Sequence, residues 1–181
     1  MEIRKSAETD RAEIEKIHIA AFGAEKGPEI AELVNGLLDD KTAEPGLSLV
    51  AVENGQLMGH ILYTKALLTG TDLPVSVQLL APLAVLPEVQ SKGVGGKLID
   101  AGLRQLKAAG VELVFVLGHP DYYPRSGFTP AGVLGFEAPY PIPAEHAKAW
   151  MVQALKEGLV GEVKGRVQCA DVLDQPQHWR E

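Results

Sequence analysis

Residues 90–97 read Gln-Ser-Lys-Gly-Val-Gly-Gly-Lys and join an apolar run ending at Leu86-Pro87 to a helical pattern that starts near Gly93. Gly93, Gly95 and Gly96 leave the loop free of Cβ atoms, so its N–H groups can converge on one concavity. The helix N-terminus behind it adds unpaired donors and a partial positive charge. Lys92 and Lys97 add charge nearby. A strand, an anion-accepting turn and a helix in that order constrain the chain to an α/β arrangement with a phosphate-bearing ligand at the strand's end. A plain strand-to-helix turn also uses glycine, but needs fewer of them.

The flanking pattern supplies the remaining elements. Met1–Lys5 reads as a short strand, and Thr9 or Asp10 is suited to cap a helix whose apolar positions are Ile14, Ile17, Ala21 and Phe22. Gly23 and Gly27-Pro28 break the chain before a second helix with Ile30, Leu33, Val34 and Leu37 as its stripe. A β meander follows: Leu47–Glu53, a hairpin signal at Asn54-Gly55, Gln56–Leu68, a turn over Thr69–Pro74, and Val75–Leu86. The last run is apolar on consecutive positions, as in a strand buried on both faces. Pro82 inside it predicts a bulge or a lapse in pairing. Gly93–Ala109 is a helix with Val94, Leu98, Ile99, Leu103 and Leu106 inward and Gly110 as its stop. Glu112–Leu117 is a buried parallel strand that completes a βαβ unit. A short helix over Asp121–Arg125, a helix over Ala144–Leu155 and a strand over Val160–Val167 are expected beyond it. No repeat or linker divides the chain, so one domain is expected over residues 1–181.

Two nucleotide loops fail on the same residues. A Walker loop needs Gly where Ser91 stands and Ser or Thr where Leu98 stands. A dinucleotide fingerprint needs Gly or Ala at Leu98 and belongs after the first strand, not after a meander. The motif Gln90-x-x-Gly93-x-Gly95, preceded by Leu-Ala-Val-Leu-Pro-Glu, instead resembles the acyl-CoA cradle of the GNAT superfamily of N-acetyltransferases. The likeness runs over about residues 1–140 in the family's element order. Leu-Ala-Pro-Leu-Ala-Val-Leu-Pro and Tyr-Tyr-Pro-Arg-Ser-Gly-Phe resemble the YhbS-like branch.

The resemblance implies an α/β fold with a central mixed sheet flanked by helices, the fourth and fifth strands splaying apart. It implies that Leu83, Ala84 and Val85 bind the pantetheine arm and the acetyl carbonyl of acetyl-CoA. Gln90, Ser91, Lys92, Gly93, Val94, Gly95 and Gly96 would hold its pyrophosphate, largely through backbone N–H groups. It further implies direct attack of an amine on the thioester, with an oxyanion donor near Val85. Tyr123, five residues before the Phe of Gly127-Phe128, takes the family's acid position, although a packed interfacial ring is the bland reading of the same residue. Tyr122 is expected to point elsewhere. His119, just past the fifth strand, is the candidate base; a solvated strand-end histidine fits equally, and a water chain would need no single base. His60 suits either the acceptor pocket or a satisfied core. Glu88 and Asp121 suit loop solvation or capping, Arg125 a phosphate or solvent, and Tyr140, Trp150 and Met151 packing more than a lid. A non-catalytic acyl-CoA-binding module is the alternative.

Composition narrows the partners. Seventeen Lys and Arg against twenty-four Asp and Glu give a net charge of −7, which argues against a broad nucleic-acid footprint. Hydrophobic residues at 46% with charged residues at 23% fit a folded soluble chain, with no run of the roughly 18–20 apolar residues that a bilayer span requires. Cys169 is the lone cysteine, so neither an internal disulfide nor a cysteine metal cluster is available. The Met-Glu-Ile-Arg-Lys-Ser start lacks the apolar core of a signal peptide. The expectation is a cytoplasmic protein acting on a small-molecule or peptide amine, without metal, membrane or nucleic acid, with a homodimer as a family-based expectation.

Overall fold

The computed structural model describes residues 1–180. Strand β1 (Glu2–Lys5) leads into α1 (Arg11–Asp39), which Gly23 divides at φ 89° and ψ 177°. Gly27-Pro28 lies inside the second half instead of preceding it, because Pro28 has little helix before it to break. A Cβ on Gly27 would sit 2.7 Å from the Ile19 backbone, so this glycine lets the two halves approach closely. Asp10 precedes α1 but does not cap it. Its carboxylate turns back to accept the Ala7 N–H and to pair with Arg4 at 2.8 Å.

The meander forms as its pattern predicts: β2 (Leu47–Glu53), β3 (Gln56–Thr69) and β4 (Val77–Val85) are antiparallel neighbours. Asn54 and Gly55, at φ 52° and 76°, take the left-handed turn that matches strand twist. Helix α2 (Val94–Ala108) crosses over to β5 (Leu113–Leu117), parallel to β4. The short β6 (Thr129–Pro130) and β7 (Phe136–Glu137) precede β8 (Trp150–Ala154) and β9 (Gly165–Gln168). The sheet runs β1-β2-β3-β4-β5-β8-β6, with β9 on the end of β3 and β7 beside β9.

The two helices cover opposite faces. Leu98, Ile99, Leu103 and Leu106 of α2 pack on Leu49, Ile61, Val114 and Val116. Leu33 and Leu37 of α1 pack on Leu62, Leu79 and Phe115, together with Trp150 and Trp179. Each such buried side chain contributes roughly 1.5–3 kcal/mol. Tyr63 crosses over Gly102, where a Cβ would meet its ring at 2.2 Å, and its hydroxyl donates to the Ile99 carbonyl at 3.0 Å.

Three expectations past β5 are corrected. The helix expected over Ala144–Leu155 is a short 3-10 stretch, Ala144–Ala149, followed by β8. The apolar spacing suits a helix, but β5 has backbone donors and acceptors on its outer edge, and five residues of β8 satisfy them. Propensity is the weaker term in that competition. The helix expected near Asp121–Arg125 is one 3-10 turn, Tyr123–Ser126, ended by Gly127 at φ 100°. The last strand shrinks from Val160–Val167 to β9.

A polar chain is buried between α1 and the sheet. His18 Nε2 and His60 Nδ1 lie 2.8 Å apart, His60 Nε2 is 2.8 Å from Ser48 Oγ, and Ser6 Oγ donates to Ser48 Oγ at 2.6 Å. Both rings are 0% exposed. Burial disfavours the imidazolium, lowering His18 to about 4. His60 is also lowered, first by burial and then by His18, with Asp10 opposing.

The unfolded histidines protonate below about pH 6.5 while the folded ones stay neutral, so unfolding takes up protons in that range. Stability is therefore full above pH 6.5 and falls as pH drops toward 4, by roughly 3 kcal/mol for His18 alone. Thermal melts at pH 7.5, 6 and 5 check this. A midpoint that holds level to pH 5 would remove the neutral pair from the account.

Candidate active site

The parallel pairing of β4 with β5 stops early. Only Val77–Leu80 meet Leu113–Val116. At that point Ala81 and Pro82 of β4 oppose the single residue Leu62 of β3, a bulge of the kind Pro82 predicts. Beyond it Leu83, Ala84 and Val85 stay paired to β3 but turn an open edge away from it. β5 diverges, and the Gly118 N–H donates to the Ala149 carbonyl at 2.9 Å. A cleft of about 1260 Å³ occupies the wedge, with Leu83–Val85 on one wall and Gly118–Pro120 on the other.

The glycine loop closes one end. Ser91 and Gly93 have φ of 65° and 84°, a left-handed alternation that points successive N–H groups inward. Holding the non-glycine Ser91 there costs roughly 1–2 kcal/mol. Among the described residues, the N–H groups of Ser91, Lys92 and Gly93 have no acceptor, and those of the first α2 turn have none within the helix. Ser91, Gly93, Val94, Gly95 and Gly96 line the cleft; Lys92 is exposed outside its wall. Gln90 lines it too, but its side-chain amide donates to the Val85 carbonyl at 3.0 Å and so ties the loop to the end of β4.

Both adjacent tyrosines enter this cleft, which corrects the expectation that Tyr122 points away. The Tyr123 ring lies on Gly118, where a Cβ would be 2.4 Å from it, and meets Phe128 edge-on at 5.9 Å. Tyr122 crosses Tyr123 at 90° with centroids 5.2 Å apart, and its hydroxyl stands over Gly95, 2.1 Å from where a Cβ would be. The perpendicular stack brings both rings to the wedge from one 3-10 turn. Burial, then the neighbouring Tyr122, pushes the Tyr123 phenol well above its ordinary value. Burial also raises Tyr122, aided by Asp100 and opposed by Arg125.

His119 lines the mouth, and its Nδ1 accepts the Asp121 N–H at 3.3 Å. That bond leaves the proton of the neutral ring on Nε2. Arg125 lines the cleft with its guanidinium 5.9 Å from the Tyr122 ring centre. His60 is in the buried chain and Glu88 and Asp121 are exposed outside the wall. Tyr140 donates to the Asp174 carbonyl, and Trp150 and Met151 are core residues, so none of these three lines the cleft. Cys169 lies elsewhere, its thiol pushed up to about 12 by burial.

The cleft has walls that periodicity did not reveal. Ala21 and Phe22, read as a buried helix face, line its mouth, and Phe22 is 38% exposed. The break at Gly23 ends the first half of α1 there, leaving both residues overhanging the wedge. The segment Ala144–Ala149 lines the same cleft. Among the described residues no helix is long and apolar enough to cross a membrane, and no group of three His, Cys, Asp or Glu is placed to hold a metal.

Comparison with known proteins points one way. The acetyltransferase (GNAT) domain model matches residues 2–131. The uncharacterized N-acetyltransferase YjhQ of Escherichia coli (strain K12) is 47% identical over 165 residues, spanning 90% of this chain and 88% of YjhQ. A crystal structure of the GNAT family N-acetyltransferase YhbS from Escherichia coli in complex with CoA superposes with TM-score 0.85 at 26% identity, covering 96% of this chain and 92% of that one. A GNAT family acetyltransferase from Brucella melitensis in complex with acetyl-CoA gives TM-score 0.74 at 33% identity, over 96% and 97%.

Gly118 and Gly93 serve different needs, and substitution separates them. Gly93→Ala meets nothing within 4 Å, so only its left-handed φ resists, at about 1–2 kcal/mol of stability. Gly118→Ala must displace the Tyr123 ring, costing about 1–3 kcal/mol and shifting the ring's proton resonances. Denaturant melts with one-dimensional NMR check both; unmoved Tyr123 signals in the second variant contradict the packing described.

Proposed function

The chain belongs to the GNAT acetyltransferase family, and we propose that it moves an acetyl group from acetyl-CoA to a primary amine. The observation that carries this reading is the open edge of Leu83–Val85 running into a loop of unpaired N–H groups at Ser91–Gly96. One edge accepts an extended, amide-bearing arm, and the other end accepts a diphosphate. Coenzyme A carries both features on one chain, so these residues fit it. The CoA and acetyl-CoA complexes of the YhbS and Brucella proteins support the same choice.

Bound acetyl-CoA would supply the acetyl group as a thioester. Transfer makes an N–C bond and breaks a C–S bond, and the proton shed by nitrogen balances the one gained by sulfur. Leu83, Ala84 and Val85 align the arm through the free β4 edge, and the Val85 N–H is the donor for charge building on the carbonyl oxygen. Ser91, Gly93, Val94, Gly95 and Gly96 hold the diphosphate by backbone N–H, with Lys92 supplying charge from outside the wall and Gln90 fixing the loop to β4. Tyr123 keeps its proton at neutral pH because burial disfavours the phenolate, so its O–H is a standing donor for the departing sulfur. His119 stands at the mouth as an Nε2–H donor while Asp121 engages Nδ1; to act as base it first releases that bond. Solvent at the open mouth is the simpler destination for the amine's proton. The acceptor meets Phe22 and the Ala144–Ala149 wall, which fits a small-molecule amine. A cytoplasmic setting is part of this reading, supported by the lone thiol.

Acetyl-CoA at about 100 times its dissociation constant should add roughly 2.7 kcal/mol of apparent stability, with ATP and NAD inert; a response to ATP or NAD alone would sink the reading. Thiol release across an amine panel then separates an enzyme from a module that only binds acyl-CoA. Tyr123→Phe should lower kcat about 100-fold while leaving CoA affinity nearly unchanged, and an unchanged kcat removes Tyr123 from the chemistry.

A further inference from the structure

We propose that Tyr122 is a second ligand-binding tyrosine, whose hydroxyl donates to the diphosphate of the bound coenzyme at the first turn of α2; this rests on the acetyl-CoA reading above. Its phenol oxygen occupies the space that a side chain at residue 95 would fill, 2.1 Å from that Cβ position. The hydroxyl makes no hydrogen bond within the described residues, although the ring is half-buried and held on two sides. Tyr123 crosses it at 5.2 Å and the Arg125 guanidinium sits 5.9 Å from its centre. The result is a fixed ring with an uncommitted O–H at the rim of a helix N-terminus.

The hydroxyl stands over the first turn of α2, whose N–H groups are donors with no partner inside the helix. A cluster of donors with no acceptor fits an anion. Burial and Asp100 keep the phenol protonated, so it donates rather than repels. Arg125, on the same wall, adds a cation beside the ring. This also accounts for a glycine that backbone geometry does not require: Gly95 lies within α2, whereas Gly93 needs its left-handed φ. Besides its place in the cradle, Gly95 leaves room for the Tyr122 hydroxyl, which a Cβ there would meet.

The proposal distinguishes the phenol oxygen from the ring. The Tyr122 Cζ lies 3.3 Å from the same Cβ position, a contact that small shifts relieve, whereas the oxygen at 2.1 Å must be evicted. Calorimetric titration of the purified protein with coenzyme A, and with pantetheine, which carries no phosphate, supplies the test. Tyr122→Phe should weaken coenzyme A binding about tenfold and leave pantetheine binding unchanged. Gly95→Ala should weaken coenzyme A by at least as much in the wild-type background, and by less than about threefold when Phe occupies position 122, a non-additive cycle. Coenzyme A affinity unchanged in Tyr122→Phe overturns the proposal while leaving the acetyl-CoA reading intact. Equal losses for coenzyme A and pantetheine also overturn it, since the ring would then be acting through the wedge as a whole. Wild-type protein that binds no coenzyme A brings down both readings.

Discussion

The pairing between β4 and β5 lasts for four residues and then ends, and the geometry of the site depends on that. A parallel pair normally continues until a strand runs out. Here Pro82 has no N–H to give, and the bulge it shares with Ala81 turns β4 while β3 keeps hold of Leu83–Val85. The opposite wall is held as firmly, because β8 pairs with all five residues of β5 and Ala149 fixes Gly118. The wedge is thus an opening between two strands that are each secured on their far side. Its width does not depend on a flexible loop.

The second element of the site is a concentration of donors. Ser91 and Gly93 bend the backbone so that N–H groups converge, and α2 begins where they end. The tyrosines approach from the 3-10 turn after β5, each seated on a glycine: Tyr123 on Gly118 at the end of β5 itself, Tyr122 on Gly95 across the cleft in α2. Glycine therefore has two separate uses in this one cleft. At residue 93 it permits a backbone angle, and at 95 and 118 it makes room for a ring or its hydroxyl. These uses call for different substitutions to disturb them.

Much of this was legible from local rules. The meander, the bulge at Pro82, the inward face of α2 and the cradle each follow from a few neighbouring residues. What escaped were contacts between distant segments. Trp150 and Met151 have helical spacing, but the unpaired edge of β5 recruited them as a strand, and no local pattern encodes that edge. The expectation that Tyr122 points elsewhere fails because the space its hydroxyl fills belongs to Gly95, 27 positions earlier in the chain. Phe22 read as core because the angle taken at Gly23 decides whether it turns inward or overhangs the cleft. The comparisons with YjhQ and YhbS agree with the family likeness drawn from the cradle.

Placing β8 outside β5 also sets a timetable for synthesis. β5 leaves the ribosome with Leu113–Leu117 paired on one side only, and its partner does not arrive until residues 150–154 have been added. At about 5–20 residues per second that is roughly 2–7 seconds with a bare apolar edge. Trp179, which packs against Trp150 at 5.8 Å, comes later still. Until β8 docks, the outer edge of β5 has no strand partner, and in that interval a nascent chain of this architecture is open to pairing with a neighbour on the same message.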